Sequence, residues 1–484
     1  MRRRRVGALA ALLVVMALVS ACTEDEPGSV VETEAGALRG VTHDGIRSFR
    51  GIPYAAPPVG DLRWAEPQQA EPWDGERDAT AYGAACLQAT SAVLGSAQTA
   101  LKNTSEDCLF LNVNRPDDDA TDLPVIVYIH GGGFMAGTGN DETSNSPALV
   151  RRGVVVVTLN YRLGRLGFFA HPALEGDVAN FGLLDQVAAL QWVEDNIEPF
   201  GGDPDNVTIY GSSAGGMSVN ALMASPRADG LFDRAISQSG LGREESTSLA
   251  ETRRAAGMPD ASLADLRALD AEDVMSVPLN ALAGDVPIVD GGVLPAAVSV
   301  AFGAGDEADV PYLVGTTDLE FPDSVLTGRG LDPEQLRATL AGTAYPALVK
   351  AYGGDEAYRQ HFFSDAVFTE PARFLATAHA ERAPTYLYRF SIASPETVKS
   401  LGGAAHSTDI GYVFGSSGDE RAGTIGDYWV AFASSGDPNH EGAPTWPEAG
   451  DGALLALTND GPVAVTDDPW KPRLDAVRRL AEAR

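Results

Sequence analysis

The sequence has few cations and few cysteines, and both shortages exclude broad classes of function. Its 484 residues include 35 lysines and arginines against 67 aspartates and glutamates, so the formal net charge is −32. A surface with this charge repels polyanions, which excludes binding to nucleic acid or to an anionic membrane through charge. Three cysteines are too few for a disulfide-rich scaffold. We therefore expect no nucleic-acid partner and no metal site.

The sequence also lacks linkers and repeats after its N-terminal segment, which predicts a single domain over residues 32–484. Runs rich in β-branched residues, such as VVVVTLNYR and VPYLVG, alternate with segments of helical periodicity. One such segment has apolar residues on one helical face at Leu183, Val187, Leu190, Val193 and Ile197. The alternation favours an α/β fold with a mostly parallel central sheet flanked by helices.

The N-terminal segment indicates export. Four arginines at positions 2–5 precede an apolar run that has the character of a signal peptide and is short for a membrane span. The following Val-Ser-Ala-Cys resembles a bacterial lipobox, which implies that Cys22 is diacylated after cleavage. Residues 1–21 are therefore predicted to be a lipoprotein signal peptide, and residues 22–31 an acidic, polar tether. Lipid would hold the protein at the outer face of the cell membrane; secretion after an A-x-A-like site is the alternative.

One segment, NVTIYGSSAGG, passes from a β-branched and aromatic run through a glycine-flanked serine into a helix-compatible stretch. This pattern is typical of a nucleophile elbow, where glycines two residues before and after the serine let strand and helix backbones approach closely. Ser213 has Gly211 and Gly215 at those positions, whereas Ser212 has no glycine at either. Ser213 is therefore the candidate nucleophile, and the N–H of Ala214 is a candidate donor to an oxyanion.

A second glycine-rich segment ends the strand-like run PVIVYIHGGGF. Consecutive glycines expose backbone N–H groups, and each such donor aimed at a developing alkoxide is worth about 3 to 4 kcal/mol in acyl transfer. Gly132 and Gly133 are the candidates for this role. A phosphate-binding loop is the alternative, but no Lys-Ser or Lys-Thr follows the glycines. We expect no cofactor.

Position selects one histidine as the catalytic base. Hydrolases with this elbow carry their triad in the order serine, acid, histidine. Of the seven histidines, three precede the serine, two lie in polar helix-like stretches typical of a surface, and one follows a turn. The three that precede the serine are His43, His130 and His171. The two in polar stretches are His361 and His379, and the one after a turn is His440. His406 remains, and a histidine base predicts that activity falls on acidification.

These motifs belong to an ordered series that resembles the type-B carboxylesterase family of the α/β-hydrolase superfamily, which includes bacterial carboxylesterases and the cholinesterases. The matching segments include FRGIPYAAPPVGDLRW (49–64), SEDCLFLNV (105–113), LNYRLGRLGFF (159–169), SQSG (237–240), VPIVDGGVLP (286–295), AHSTDIGYVFG (405–415) and YWVAFASSGDPN (428–439). The resemblance implies an α/β-hydrolase fold and a serine carboxylesterase that hydrolyses small-molecule esters through an acyl-enzyme.

The resemblance also implies roles for further residues. In the family a glutamate five residues after a glycine is the triad acid, and in VGTTDLEF this offset from the glycine gives Glu320. Asp318 is the alternative, because the segment departs from the family's usual Asp-Glu-Gly ending by having Phe321 after the glutamate. Ser239 and Asp409 match residues that support the acid and the histidine.

The resemblance also implies a disulfide bond, and the loop between its two cysteines bears on substrate choice. The cysteine of SEDCLFLNV forms a disulfide in the family, which pairs Cys108 with Cys86 once Cys22 is assigned to lipid. Cholinesterases place an aromatic choline-binding residue in the loop between these cysteines, but residues 87–107 contain no aromatic residue. Choline selectivity is therefore not expected.

Two other functions stay open at this point. Some members of the family have lost catalytic residues and act as adhesion proteins, whereas here Ser213, Glu320 and His406 are all present. An acyl transferase or an amidase would use the same site, because water and a competing nucleophile meet the same acyl-enzyme.

Overall fold

The fold was determined from a computed structural model that describes residues 26–88, 101, 103–141, 143–243, 247–258, 260–276, 286–450 and 452–483. The predicted signal peptide and Cys22 lie outside the described residues. The strands are β1 (Glu26–Thr33), β2 (Gly36–His43), β3 (Ile46–Pro53), β4 (Glu76–Asp78), β5 (Ala85–Cys86), β6 (Thr104–Ser105), β7 (Phe110–Pro116), β8 (Leu123–Ile129), β9 (Val155–Leu159), β10 (Gly202–Ser212), β11 (Arg234–Gln238), β12 (Tyr312–Thr317), β13 (Thr385–Phe390), β14 (Leu454–Thr458) and β15 (Gly461–Val465).

Helices occupy most of the segments between the strands. They are α1 (Pro147–Val150), α2 (Gly164–Gly167), α3 (Phe181–Asn196), α4 (Ala214–Met223), α5 (Leu249–Ala255), α6 (Leu263–Arg267), α7 (Ala271–Ser276), α8 (Val298–Ala304), α9 (Asp323–Gly328), α10 (Pro333–Ala341), α11 (Tyr345–Ala351), α12 (Asp355–Ser364), α13 (Glu370–His379), α14 (Pro395–Leu401), α15 (Ile410–Val413), α16 (Ala422–Ser435) and α17 (Lys471–Glu482). A π-helical turn, Asp365–Thr369, joins α12 to α13. None of the helices described is long and apolar enough to cross a membrane.

One large sheet organises the described residues. Its strand order is β1-β2-β3-β7-β9-β8-β10-β11-β12-β13-β14-β15, with β4 beside β2. The strands from β9 to β14 in this order are parallel to their neighbours. Antiparallel pairs are confined to the two ends, at β1, β2, β3 and β7 and at β15. The predicted mostly parallel central sheet flanked by helices is confirmed.

Helices cover the sheet on both faces because its central strands are apolar on both sides. In β8, Val127 joins a core cluster with Leu190 of α3, while the next residue back, Ile126, joins a separate cluster with Trp429 of α16. All four residues are at least 99% buried. The helix predicted around Leu190 is confirmed as α3. Both faces of the parallel strands pack against helices rather than facing solvent, as is usual for parallel sheets.

The first strand corrects one predicted boundary. Residues 26–31, assigned to the tether 22–31 from their polar composition, belong to β1, which pairs antiparallel with β2. Val31 opposes Leu38 in this pair and packs against the main core cluster. Strand pairing and the packing of Val31 therefore hold this stretch in the sheet, and the tether prediction extended too far toward the domain.

The prediction of a surface position for His379 was wrong. Its side chain is fully buried, and its Nδ1 lies 2.8 Å from Oε1 of Glu307 while its Nε2 donates to the carbonyl of Val310 at 2.8 Å. The polar stretch around this histidine forms α13, whose buried face also includes Leu375 and Ala376. Helical spacing, not local polarity, places His379 in the core.

A disulfide bond joins Cys86 to Cys108, as the sequence predicted. The two cysteines are 22 residues apart and lie in the main core cluster. The bond therefore ties the start of the loop over residues 87–107 directly to the interior.

Replacing both cysteines, Cys86→Ser with Cys108→Ser, should lower the free energy of unfolding by about 3 kcal/mol, because a loop of this size gains conformational entropy in the unfolded chain. Urea unfolding of the parent and the variant measures the difference. Thiol titration of the denatured, non-reduced parent provides the control: reactive thiols at both positions would contradict the bond.

Candidate active site

Ser213 occupies a strained turn between β10 and α4. Its φ and ψ are 58° and −123°, a conformation that non-glycine residues rarely adopt, at a cost of about 1 to 3 kcal/mol. The surrounding glycines make room for this turn: a Cβ on Gly211 would overlap the backbone of Gly215, and one on Gly215 would overlap the carbonyl oxygen of Ile129 in β8. The glycines thus allow β8, β10 and α4 to meet, and the meeting point exposes the serine.

The glycine loop after β8 passes directly beside this serine. A Cβ on Gly131 would lie 2.6 Å from the carbonyl oxygen of Ser212 and 3.2 Å from the Cβ of Ser213. Gly132 and Gly133 follow with φ of 112° and 64°, values in the region that favours glycine. The loop therefore brings backbone groups close to the serine where larger residues would not fit.

Two distant segments of the chain converge on the serine. The Nε2 of His406 lies 2.8 Å from the Oγ of Ser213, and its Nδ1 lies 2.5 Å from Oε2 of Glu320. The backbone N–H of His406 also donates to the carbonyl of Glu320 at 2.9 Å, which fixes the two loops against each other. The structure thus brings together the three residues that the sequence singled out, in the order hydroxyl, imidazole, carboxylate.

Glu320 is fully buried, and its remaining oxygen is hydrogen-bonded. Its Oε1 accepts from the Oγ of Ser239 at 2.6 Å and from the backbone N–H of Thr317 at 2.9 Å. Because carboxylate oxygens only accept, the Nδ1 of His406 must donate to Oε2, which leaves Nε2 free to accept the serine proton. The predicted support of the acid by Ser239 is thus a direct hydrogen bond.

Asp318, the alternative acid, faces a different partner. One of its carboxylate oxygens accepts the N–H of Ala404 at 2.8 Å. Burial, opposed in part by that hydrogen bond and aided by the charge of Glu320, raises the pKa of Asp318 to about 6. Its place is to hold the loop before His406 rather than to touch the imidazole.

Asp409 lies below the triad in a buried polar network that the sequence did not predict. Its Oδ2 accepts from the Nε2 of Gln238 at 2.9 Å and from the hydroxyl of Tyr388 at 2.8 Å, and the hydroxyl of Tyr210 donates to Gln238. Within the described residues, Asp409 has no hydrogen bond to Glu320 or to the imidazole. Gln238 also contacts the serine, because its carbonyl accepts the N–H of Ser213 at 2.8 Å. The charges of Glu320 and His406 act on the carboxylate of Asp409, and its support of the triad, implied by family resemblance, stays a prediction.

Aromatic rings surround the imidazole. Phe321 stacks on His406 with ring centroids 4.6 Å apart, and Phe368, from the π-helical turn, lies 5.4 Å from it at a tilt. The imidazole side chain is 12% exposed, so a small part of it contacts solvent. Sequence reasoning missed both phenylalanines; the departure at Phe321 from the family's glycine was the one available signal.

The site has a strained serine, an imidazole and a buried carboxylate in hydrogen-bond contact. They lie beside a glycine loop at the ends of parallel strands. This arrangement defines a serine hydrolase of the α/β-hydrolase class. Comparison with known proteins gives the family. The sequence profile described as "Carboxylesterase family" matches residues 27–330 and 354–470. The chain belongs to this family, and it is a carboxylic-ester hydrolase.

Individual relatives agree with this placement. The chain is 36% identical over 475 residues to the para-nitrobenzyl esterase of Bacillus subtilis (strain 168), a match covering 91% of this chain and 96% of that protein. It is 35% identical to the fumonisin B1 esterase of Sphingopyxis macrogoltabida, over 90% of this chain and 87% of that protein. Among solved structures, a PNB esterase superposes with a TM-score of 0.79 at 34% identity, covering 93% of this chain and 99% of the other.

The buried position of Asp409 predicts a stability effect that depends on pH. Burial and the nearby charge of Glu320 raise the pKa of Asp409 from 3.8 to about 6. Because folding raises this pKa, its contribution to stability is fully present below about pH 4 and is lost as the pH rises through 6. Asp409→Asn cannot ionise at this position. The free energy of unfolding of the variant minus that of the parent should therefore be larger at pH 7.5 than at pH 4.5, as measured by urea unfolding at both pH values.

Asp475→Asn is the matched control for this measurement. Although burial opposes the change, hydrogen bonds from Lys471 and Arg373 lower the pKa of Asp475 to about 2, so its contribution stays nearly constant from pH 4.5 to 7.5. If the parent and Asp409→Asn differ by the same amount at both pH values, Asp409 does not carry the raised pKa.

Proposed function

We propose that Ser213 is the nucleophile of ester hydrolysis, with His406 as its base and Glu320 as the acid that orients the imidazole. The continuous contact from Oγ through the imidazole to the buried carboxylate carries this assignment. His406 takes the serine proton as Oγ attacks the ester carbonyl, and Glu320 stabilises the imidazolium that forms. The imidazolium then protonates the leaving alcohol, and His406 activates the water that releases the acid from the acyl-enzyme.

The N–H groups of Gly132, Gly133 and Ala214 are proposed to hold the oxyanion. Ala214 begins α4, so its N–H points out of a helix N-terminus next to the serine, where the helix dipole favours negative charge. The glycine loop passes within contact distance of Ser213 on its other side. Donors fixed in this way before the reaction need no reorganisation as charge develops on the carbonyl oxygen.

The hydrophobic environment of the imidazole suits uncharged or weakly polar esters near the reacting bond. Phe321 and Phe368 form an apolar wall against His406 that offers no hydrogen-bonding side chain to a substrate. The proposed substrates are therefore small-molecule carboxylic esters. The names of the two relatives above describe those proteins and set no particular substrate for this one.

We further propose that the protein is exported and held by lipid on Cys22 at the outer face of the cell membrane. The arginine-led apolar segment and the lipobox-like sequence before Cys22 support this. Two or more acyl chains anchor a protein stably, whereas one binds only marginally. The disulfide between Cys86 and Cys108 fits an oxidising compartment.

Ser213→Ala should lower kcat/KM for 4-nitrophenyl acetate, butyrate and octanoate by at least about 10⁴-fold, because no hydroxyl remains to attack the ester. The matched control is the adjacent Ser212→Ala: Ser212 is also buried, but its Oγ has no hydrogen-bond partner among the described residues. That variant should stay within a few-fold of the parent. Equal rates for Ser213→Ala and the parent would end the assignment.

Glu320→Gln should lower kcat/KM by at least about 100-fold, because an amide nitrogen would face either the Nδ1–H of His406 or the donors on Oε1. Asp318→Asn makes the same chemical change nearby but keeps the oxygen that accepts the N–H of Ala404. We expect a much smaller loss for it, measured with 4-nitrophenyl butyrate. A larger loss for Asp318→Asn would transfer the role of acid to that residue.

Cys22→Ala should release the protein from the membrane when the full chain is expressed in a bacterial host. The parent should partition into the detergent phase of Triton X-114 and incorporate labelled palmitate, because the lipid would be attached to the cysteine thiol. The variant should do neither. A parent found in the aqueous phase without label would favour secretion instead.

A further inference from the structure

Among the residues that the structure describes, Arg329 has no counter-ion, although the protein is strongly acidic. The chain has 67 acidic residues and 35 basic ones, and many of its arginines form ion pairs. The guanidinium of Arg329 instead lies over the ring of Phe321, with its Cζ 4.6 Å from the ring centroid. In the part of the chain that the structure describes, it forms no hydrogen bond or ion pair. Partial burial, with no compensating carboxylate, lowers the pKa of Arg329.

This cation lies beside the triad. The ring centroid of Phe321 lies 4.6 Å from the Cζ of Arg329 and 4.6 Å from the ring centroid of His406. The guanidinium carbon is therefore within about 9.2 Å of the imidazole centroid. Both Phe321 and Arg329 are only partly buried. The imidazole contacts the Oγ of Ser213 at 2.8 Å, so an extended substrate bound to Ser213 can bring a group several bonds from its ester toward the guanidinium.

The carboxylates near Arg329 in the chain are already occupied. Asp332, three residues further on, accepts the backbone N–H groups of the first turn of α10, and Asp323 pairs with Arg337 at 2.6 Å. Asp318 accepts from a backbone N–H, and Glu320 is buried against the imidazole. None of them neutralises Arg329. A guanidinium held over a ring face keeps its N–H groups available, and their planar fork matches the geometry of a carboxylate.

We propose that Arg329, positioned by Phe321, forms a subsite that binds a carboxylate group carried by the ester substrate. This inference rests on the proposed function and adds a substrate class to it: esters of a dicarboxylic acid, or of an alcohol that bears a carboxylate. The local cation offsets the repulsion that the negative net charge of the protein exerts on such anions. The substitution of Phe321 for the family's usual glycine supplies the surface on which the cation rests.

The test uses the ratio of kcat/KM for a charged ester to that for a neutral one, because this ratio cancels any effect common to both. 4-Nitrophenyl hemiglutarate against 4-nitrophenyl butyrate places the carboxylate on the acyl side. 4-Acetoxybenzoate against phenyl acetate places it on the alcohol side. Each ratio is measured for the parent, Arg329→Gln, Arg329→Lys and Arg479→Gln, the last being a matched control at an exposed arginine of α17.

In Arg329→Gln the ratio should fall about tenfold for one of the two pairs, the loss expected for one charge-assisted hydrogen bond. The pair that responds identifies the side of the ester that the subsite binds. Arg329→Lys should retain part of the ratio because it keeps the charge, and Arg479→Gln should leave both ratios as in the parent. Ratios in Arg329→Gln within twofold of the parent for both pairs, or an equal fall in Arg479→Gln, would overturn the subsite.

A failure of the Arg329 subsite can be distinguished from a failure of the proposed catalytic function. Hydrolysis of 4-nitrophenyl butyrate by the parent and its loss in Ser213→Ala test the triad alone. If the neutral esters are not hydrolysed, calorimetric titration with 4-acetamidobenzoate, a stable analogue of the charged ester, still tests the subsite. Its Kd should rise about tenfold in Arg329→Gln, and equal Kd values for parent and variant would overturn the inference.

Discussion

The close backbone approach at the start of α4 is the constraint on which the site depends. Gly211 and Gly215 let β10, α4 and the end of β8 meet at one point, and any Cβ there would overlap backbone atoms. This contact pushes Ser213 into a conformation that it would not adopt alone. The same contact sets the glycine loop of Gly131 against the serine, so the proposed nucleophile and the proposed oxyanion donors are positioned by the same packing contact.

The remainder of the triad is held by hydrogen bonds between segments far apart in the chain. Glu320 receives donors from a serine after β11, from its own turn and from His406, at separations of 81, 3 and 86 residues. Ser239 follows β11, Thr317 ends β12, and His406 lies in the connection after β13 and α14. The strands β11, β12 and β13 are neighbours in the sheet, so their carboxyl ends bring the three segments together. Because the donors share one carboxylate, substitutions at Ser239 and His406 should not have additive effects.

The sequence predicted the parts of the site that have local causes. The glycine spacing around Ser213 is a steric requirement of the turn, and it is visible without a structure. His406 followed from chain order and elimination, and Glu320 from an offset that family resemblance supplied. All three lie where hydroxyl, imidazole and carboxylate meet.

What the sequence did not predict depends on contacts between segments distant in the chain. Asp409 was expected to support the acid and the histidine, and the charges of both act on its carboxylate. The sequence did not predict its hydrogen bonds, which come from Gln238 of β11 and Tyr388 of β13. His379 was placed on the surface because its neighbours in sequence are polar, whereas packing of α13 buries it. Polarity along the chain reports the average environment of a segment, and a helix presents different environments on its two sides. The early start of β1 likewise depends on pairing with β2, which the composition of residues 22–31 does not reveal.

That early start limits how far the body of the enzyme could stand from a bilayer. Four peptide units separate Cys22 from Glu26, the first residue of β1, and fully extended they reach no more than about 14 Å. An acylated Cys22 would therefore hold one margin of the sheet almost at the lipid headgroups. A link of this length would keep the folded protein close to the membrane surface, so esters that partition into the bilayer would meet the enzyme at short range.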